Sequence, residues 1–247
     1  MIGIVGGAGP LVGLDIVKKI IEETIEAKDE DHIPLILHSQ PGRIANCTQF
    51  LTGDGSINPA HAIADTVAEL VRLGATVAAV PCNTAHAAPI FDVVRTQIRS
   101  KGLSIKLLNL VEETVHYIAS HYDNPAVGVL SSNGTRDTGL YKKSLAMHSL
   151  NVVEPVDDWQ QKIHQAIYDE QYGIKSHASP ITNRAKEELI AAIHEMKKEG
   201  ATVIVLGCTE LPLALREKEI AGLPIVDPHR VLARALIRTI APQKLQK

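Results

Sequence analysis

Apolar and polar positions along the chain fall into two alternating signatures. Short, nearly continuous apolar runs recur at Ile2–Val5, Leu35–His38, Gly74–Val80, Leu103–Leu108, Val127–Leu130, Leu150–Val153, Ala201–Leu206 and Leu223–Val226. Runs of that length predict strands buried on both faces. Between them lie longer stretches with helical spacing. The first helix is expected from about Val12 to Ala27, with Leu14, Val17, Ile20 and Ile21 on one face. Others are expected over about Pro59–Leu73 (opened by Asn58-Pro59), Ala85–Arg99, Gly139–Met147, a polar stretch from Trp159 through Tyr168, Thr182–Glu199 and Val231–Ile240. Pro41, Gly42, Gly53 and Gly55 make Ser39–Asn58 an irregular loop; Ser131–Asp137 and Tyr172–Lys175 also read as breaks. The tail Gln243–Lys247 is expected to fray. Strands alternating with helices predict an α/β fold with parallel sheets flanked by helices.

Part of the pattern occurs twice. Gly74-Ala75-Thr76-Val77-Ala78-Ala79-Val80-Pro81-Cys82 lines up without a gap on Gly200-Ala201-Thr202-Val203-Ile204-Val205-Leu206-Gly207-Cys208. Ile2–Pro10 pairs in the same way with Val127–Thr135, in the same order and at nearly the same separation. A duplicated α/β unit of roughly 110–125 residues accounts for both matches. The expected division is 1–115 with 228–247 as one domain, carrying Cys82, and 116–227 as the other, carrying Cys208.

Composition narrows the field. The 247 residues carry a net charge of −3 with no basic block, which argues against a nucleic-acid partner. Apolar runs are strand-sized, so no membrane helix is expected. No basic, apolar leader opens the sequence, and three cysteines do not make a disulfide framework, so reduced thiols in the cytoplasm are expected. Cys82 and Cys208 have no His or Cys partner at zinc-finger spacing, and no metal is expected.

The chemistry gathers at the two repeated strand ends. Cys82-Asn83-Thr84 and Cys208-Thr209-Glu210 each place a thiol and then polar side chains at a strand-to-helix turn. In open α/β sheets that is where ligands sit. The backbone N–H groups of the next helical turn can hold a carboxylate and favour thiolate. A single buried cysteine is more often an inert hydrophobe; a matched pair suggests a two-base reaction. One thiolate removes a proton from a carbon and a thiol returns one to the opposite face. No metal, nicotinamide or other cofactor is required.

These residues resemble the aspartate/glutamate racemase family along most of the chain. The pieces that carry the likeness are Gly6-Gly7-Ala8-Gly9-Pro10, Asn58-Pro59-Ala60, Pro81-Cys82-Asn83-Thr84-Ala85-His86, Ile167-Tyr168 through Tyr172-Gly173-Ile174-Lys175, and Leu206-Gly207-Cys208-Thr209-Glu210-Leu211-Pro212. The resemblance implies two pseudosymmetric domains with the active site in the cleft between them. It implies cofactor-independent racemisation of an acidic amino acid, aspartate before glutamate, in a homodimer. Cys82 and Cys208 would be the acid/base thiols. Asn83, Thr84 and Thr209 would hold the α-carboxylate and amino group, and Lys175 the side-chain carboxylate. Ala8, Thr48 and Glu210 would also line the site. His86, one helical turn from Cys82, would tune that thiol or meet substrate.

One departure bears on the substrate. The family's Pro-Asp-Arg-Thr motif aligns with Ala45-Asn46-Cys47-Thr48, which puts Cys47 in place of the arginine that grips the distal carboxylate. Arg43 is the nearest cation and is expected to turn inward beside Lys175; the alternative is that the substrate lacks a second carboxylate and that Cys47 and Thr48 line a pocket for a neutral or differently shaped side chain. Other readings remain: a hydantoin racemase or maleate isomerase type of enzyme, or a relative that binds a small molecule without turnover. A dinucleotide site built on Gly7, Gly9 and Gly13 lacks the acidic residue that should end Leu35–His38.

Overall fold

A computed structural model describes residues 1–246 of the chain. It divides into two compact units: Met1–Glu113 with the chain from His229 onward, and Thr114–Pro228.

The first unit holds a four-stranded parallel sheet of β1 (Ile2–Gly6), β2 (Leu35–Ser39), β3 (Val77–Ala79) and β4 (Lys106–Leu108), in the order β2-β1-β3-β4. Ile2 stands opposite both Leu35 and Val77, so β1 and β3 form the centre. Every residue of β1 and β3 is buried, which is why their sequences run apolar without alternation. The second unit repeats the order. β5 (Ala126–Leu130), β6 (Asn151–Val153), β7 (Val203–Leu206), β8 (Glu219–Ile220) and β9 (Leu223–Val226) lie as β6-β5-β7-β9-β8, all parallel except β8. β7 stands to β5 as β3 stands to β1, and both precede a cysteine. The two repeated segments thus become the central strands of two like sheets.

Helices cover the sheets. Ile16 and Ile20 from the Pro10–Glu22 helix, Ile63 and Leu70 from the Ala60–Arg72 helix and Ile90 from the Ala88–Ser100 helix are almost fully buried in the first unit. In the second, Ile163 and Ile167 of the Asp157–Tyr168 helix pack with Leu189 and Ile193 of the Asn183–Lys198 helix. Each such side chain contributes about 1.5–3 kcal/mol. The helix from Pro228 to Ile240 closes the first unit, where His229 Nδ1 lies 2.8 Å from Asp15 Oδ2 and Arg230 and Arg234 grip Glu23. Among the described residues no helix is long and apolar enough to cross a membrane.

The structure departs from the pattern in several places. The first helix buries Val12, Ile16 and Ile20, whereas Leu14 and Ile21 are exposed, so its apolar stripe is rotated from the expected face. The Ser39–Asn58 loop contains a short helix, Cys47–Thr52, because Asn46 caps it by accepting from the N–H groups of Thr48 (2.9 Å) and Gln49 (3.2 Å). The helix expected from Ala85 begins at Ala88, since Pro89 fits only in a first turn. Leu110–His121 forms a helix and β8 an edge strand, neither of them expected. The tail is tied down through Gln246, whose N–H donates to Glu23 O at 3.0 Å, while Leu245 bridges Thr24. Lys247 lies outside the described residues.

Candidate active site

In the first unit β3 delivers Cys82 to a tight turn. Its N–H donates to Val80 O at 2.9 Å, and Thr84–His86 then form a single 3₁₀ turn. Cys82 is 8% exposed, and its Sγ lies 3.6 Å from Thr84 Oγ1. Asn83 and Thr84 are buried beside it.

His86 fixes this turn. Its Nδ1 is 2.8 Å from Cys82 O, and its Nε2 is 3.2 Å from Leu110 N. The Leu110 amide must donate, so Nε2 carries no hydrogen and Nδ1–H donates to the Cys82 carbonyl. Burial pushes the imidazole pKa down to about 4, so the ring is neutral at physiological pH. Both nitrogens are bonded to backbone; neither points at the Cys82 thiol.

Ala8, Cys47 and Cys82 join one apolar cluster with Val5, Ile44 and Phe50. The glycine loop reaches this cluster because Gly7 adopts φ +110° and a Cβ there would come within 3.1 Å of the Gln40 carbonyl and Pro41 N. Cys47 and Thr48 are buried in the first turn of their helix. Arg43 is occupied elsewhere: its Nη1 donates to Gln40 Oε1 at 2.8 Å and to both Glu69 oxygens at 3.0 Å. Glu69 also meets His38 Nδ1 at 3.2 Å.

In the second unit β7 delivers Cys208, also 8% exposed, to the turn before a short Leu211–Ala214 helix. Its Sγ donates to Glu210 Oε2 at 3.0 Å, and Thr209 Oγ1 donates to the same oxygen at 3.5 Å. Glu210 Oε1 accepts from Lys175 Nζ. Lys175 is held by its backbone. After the Asp157–Tyr168 helix the chain folds back, with Ile174 N donating to Ala166 O (2.9 Å) and Lys175 N to Ile167 O (3.0 Å). Gly173 makes this possible, since a Cβ there would come within 2.6 Å of Asp169 N and O. The ammonium lies 5.2 Å from the Tyr168 ring centroid.

The Cys208 thiol belongs to a charged trio with Glu210 and Lys175. Burial pushes the Cys208 pKa well up, and the Glu210 carboxylate adds to that push. Burial would also raise Glu210, but the charge and hydrogen bonds of Lys175, with the Cys208 S–H, hold it below its ordinary value. Burial would lower Lys175; Glu210 outweighs it and raises the ammonium's pKa. The resting set is therefore thiol, carboxylate and ammonium. The counterpart beside Cys82 is a hydroxyl. Buried Tyr141 was not expected here from the sequence, yet its phenol interacts electrostatically with Cys208 and hydrogen-bonds Thr114. Nothing in the spacing around Tyr141 signals that role. Among the described residues no cluster of three or more His, Cys, Asp or Glu side chains is placed to hold a metal ion.

Residues 5–236 match the family model described as Asp/Glu/Hydantoin racemase. The chain is 29% identical over 246 residues to the broad specificity amino-acid racemase RacX of Bacillus subtilis (strain 168), covering 97% of each. Its fold matches that of the Picrophilus torridus aspartate racemase with a TM-score of 0.78 and 25% identity, over 96% of this chain and 93% of that one. An aspartate racemase homologue from Pyrococcus horikoshii OT3 matches with a TM-score of 0.73 and 26% identity, over 96% and 97%.

Proposed function

Because the chain belongs to the Asp/Glu/Hydantoin racemase family, we propose that it interconverts the enantiomers of a free amino acid, with Cys82 and Cys208 exchanging the α-proton. The observation that carries this reading is the matched setting of the two cysteines. Each is buried, each follows the end of a central strand of its sheet (β3 and β7), and each enters a tight helical turn.

The proton balance is simple. Cys82, as thiolate, takes the α-proton from one face and becomes a thiol. Cys208 gives its proton to the opposite face and becomes a thiolate. The product is the mirror image, and the reverse direction starts from the swapped protonation states. The raised pKa of Cys208 supports its role as the donor in the first half of this cycle. Glu210 Oε2 accepts a hydrogen bond from the Cys208 S–H at 3.0 Å and so orients the thiol for that donation. Asn83, Thr84 and Thr209, polar and buried beside the thiols, serve the α-carboxylate and amino group. The cycle consumes no electrons and needs neither pyridoxal phosphate nor metal. The family likeness also leads us to assign a homodimer working in the cytoplasm.

Incubating purified protein with single L-amino acids in deuterium oxide, without added cofactor, tests the reading. The expected result is deuterium at Cα together with the D-enantiomer. An absolute requirement for pyridoxal phosphate, or no exchange across a full panel of amino acids, refutes it.

A further inference from the structure

The Pro10–Glu22 helix is apolar on two faces. Val12, Ile16 and Ile20 are buried on one. Leu11, Leu14 and Ile21 form a second stripe that is open to solvent, and Ile25 extends it just past the helix end, where its N–H donates to Lys244 O at 2.7 Å. These four side chains are between 37% and 56% exposed. With Lys18 they recur at intervals of three, four, three and four residues, the spacing of a seam between two helices. On a helical wheel they share an arc of about 80°, turned away from the buried face. The other exposed large apolar side chains, Met1, Ile57, Leu73, Met147 and Val156, are scattered, no two of them on one helix. A helix that is apolar on opposite faces is one that is covered on both.

The charges in the stripe indicate what covers it. A helix face made for a lipid surface carries several cations beside its apolar residues. This one carries a single lysine, exposed at its centre, with Glu22 on the flank: Lys18 Nζ lies 3.6 Å from Glu22 Oε1. Such a stripe is complementary to itself. We propose that it is the interface between two copies of this chain, their helices running antiparallel about a two-fold axis at Lys18. Leu11 then faces the partner's Ile25, Leu14 faces the partner's Ile21, and Lys18 reaches the partner's Glu22, one helical turn from the axis. Each contact occurs twice, as in any two-fold interface. The inference gives a surface to the homodimer assigned above from family likeness. It rests on this helix and not on the racemase chemistry.

Sedimentation velocity of the full chain over a dilution series tests it. The parent should be a dimer. Leu14→Lys and Ile21→Lys each enter the interface twice and should each raise the dissociation constant by about 100-fold or more. Lysine is a good helix former, so the far-ultraviolet circular dichroism of both variants should match the parent. Lys18→Glu should weaken the dimer by about tenfold, and Lys18→Glu with Glu22→Lys should recover most of that loss, since the pairs re-form with their signs exchanged. Met147→Lys, on an exposed apolar residue outside the stripe, should leave the dimer unchanged. A dimer that survives both Leu14→Lys and Ile21→Lys, or that Met147→Lys weakens equally, overturns this interface and leaves the homodimer standing. Failure of the exchanged pair to recover the dimer overturns the antiparallel pairing. A parent that is monomeric at every concentration overturns interface and homodimer together. Cofactor-free α-proton exchange decides the racemase reading separately in each case.

Discussion

Replacing His86 gives a quantitative test of how the Cys82 turn is held. The imidazole is 4% exposed and bridges Cys82 O and Leu110 N at 2.8 and 3.2 Å. His86→Ala removes both of these buried hydrogen bonds and opens a cavity, at a total cost of about 4 kcal/mol. His86→Gln keeps a donor and an acceptor and should recover about half of that. The pH dependence is sharper. The folded-state pKa is about 4, against an ordinary 6.5, so between these values the unfolded chain binds the extra proton. The stabilisation is complete above pH 6.5, shrinks as pH falls and is gone near pH 4. Between pH 8 and pH 5 the linkage amounts to about 2 kcal/mol. Urea unfolding at those two pH values should show the parent losing about 2 kcal/mol more than His86→Gln, in which this proton site is absent. Equal losses in the two proteins, or a cost below about 1 kcal/mol for His86→Ala, would refute the argument.

Asp15 meets buried Lys19 at 2.5 Å and buried His229 at 2.8 Å, tying the closing helix to the first one. Burial opposes its ionisation, but His229 and Lys19 prevail and bring its pKa down to about 2. Its contribution is therefore complete above its ordinary pKa of 3.8 and lost as pH falls toward 2. Asp15→Ala should cost about 3–5 kcal/mol by removing the buried carboxylate that both side chains meet; a thermal melt unchanged at pH 7 would contradict this. Gly173→Ala should cut racemisation by about tenfold or more by displacing the Lys175 turn. Gly42→Ala, where a Cβ meets nothing within 4 Å, should leave the rate unchanged. Equal rates in the two glycine variants would mean that the turn does not position Lys175.

The duplicated fold was legible because a strand buried on both faces has to be apolar throughout. Val77–Ala79 and Val203–Leu206 carry that signature, and identical flanking residues marked them as copies. Cys82 and Cys208 could be picked out for the same reason. What the sequence did not disclose depends on distant partners. Leu14 and Ile21 are apolar but face away from the sheet, and only the sheet's position decides which helix stripe is buried. The Cys47–Thr52 helix depends on one capping asparagine among loop-forming residues. Lys175 and Glu210 are 35 residues apart, and Arg43 and Glu69 are 26 apart. No local pattern announces such pairs. His86 was visible as a neighbour of Cys82, but its backbone role required Leu110 to arrive from 24 residues away.

The central claim is that each thiol serves one face of the α-carbon. The most direct measurement follows deuterium incorporation into the L- and D-enantiomers separately, with Cys82→Ser and Cys208→Ser. A serine hydroxyl is a far weaker base than a thiolate, so racemisation should fall in both variants by about 10²–10⁴-fold. Each should still exchange the α-proton of one enantiomer, and the two variants should favour opposite enantiomers. Racemisation near the parent rate in either variant, or both variants exchanging the same enantiomer, would contradict the account.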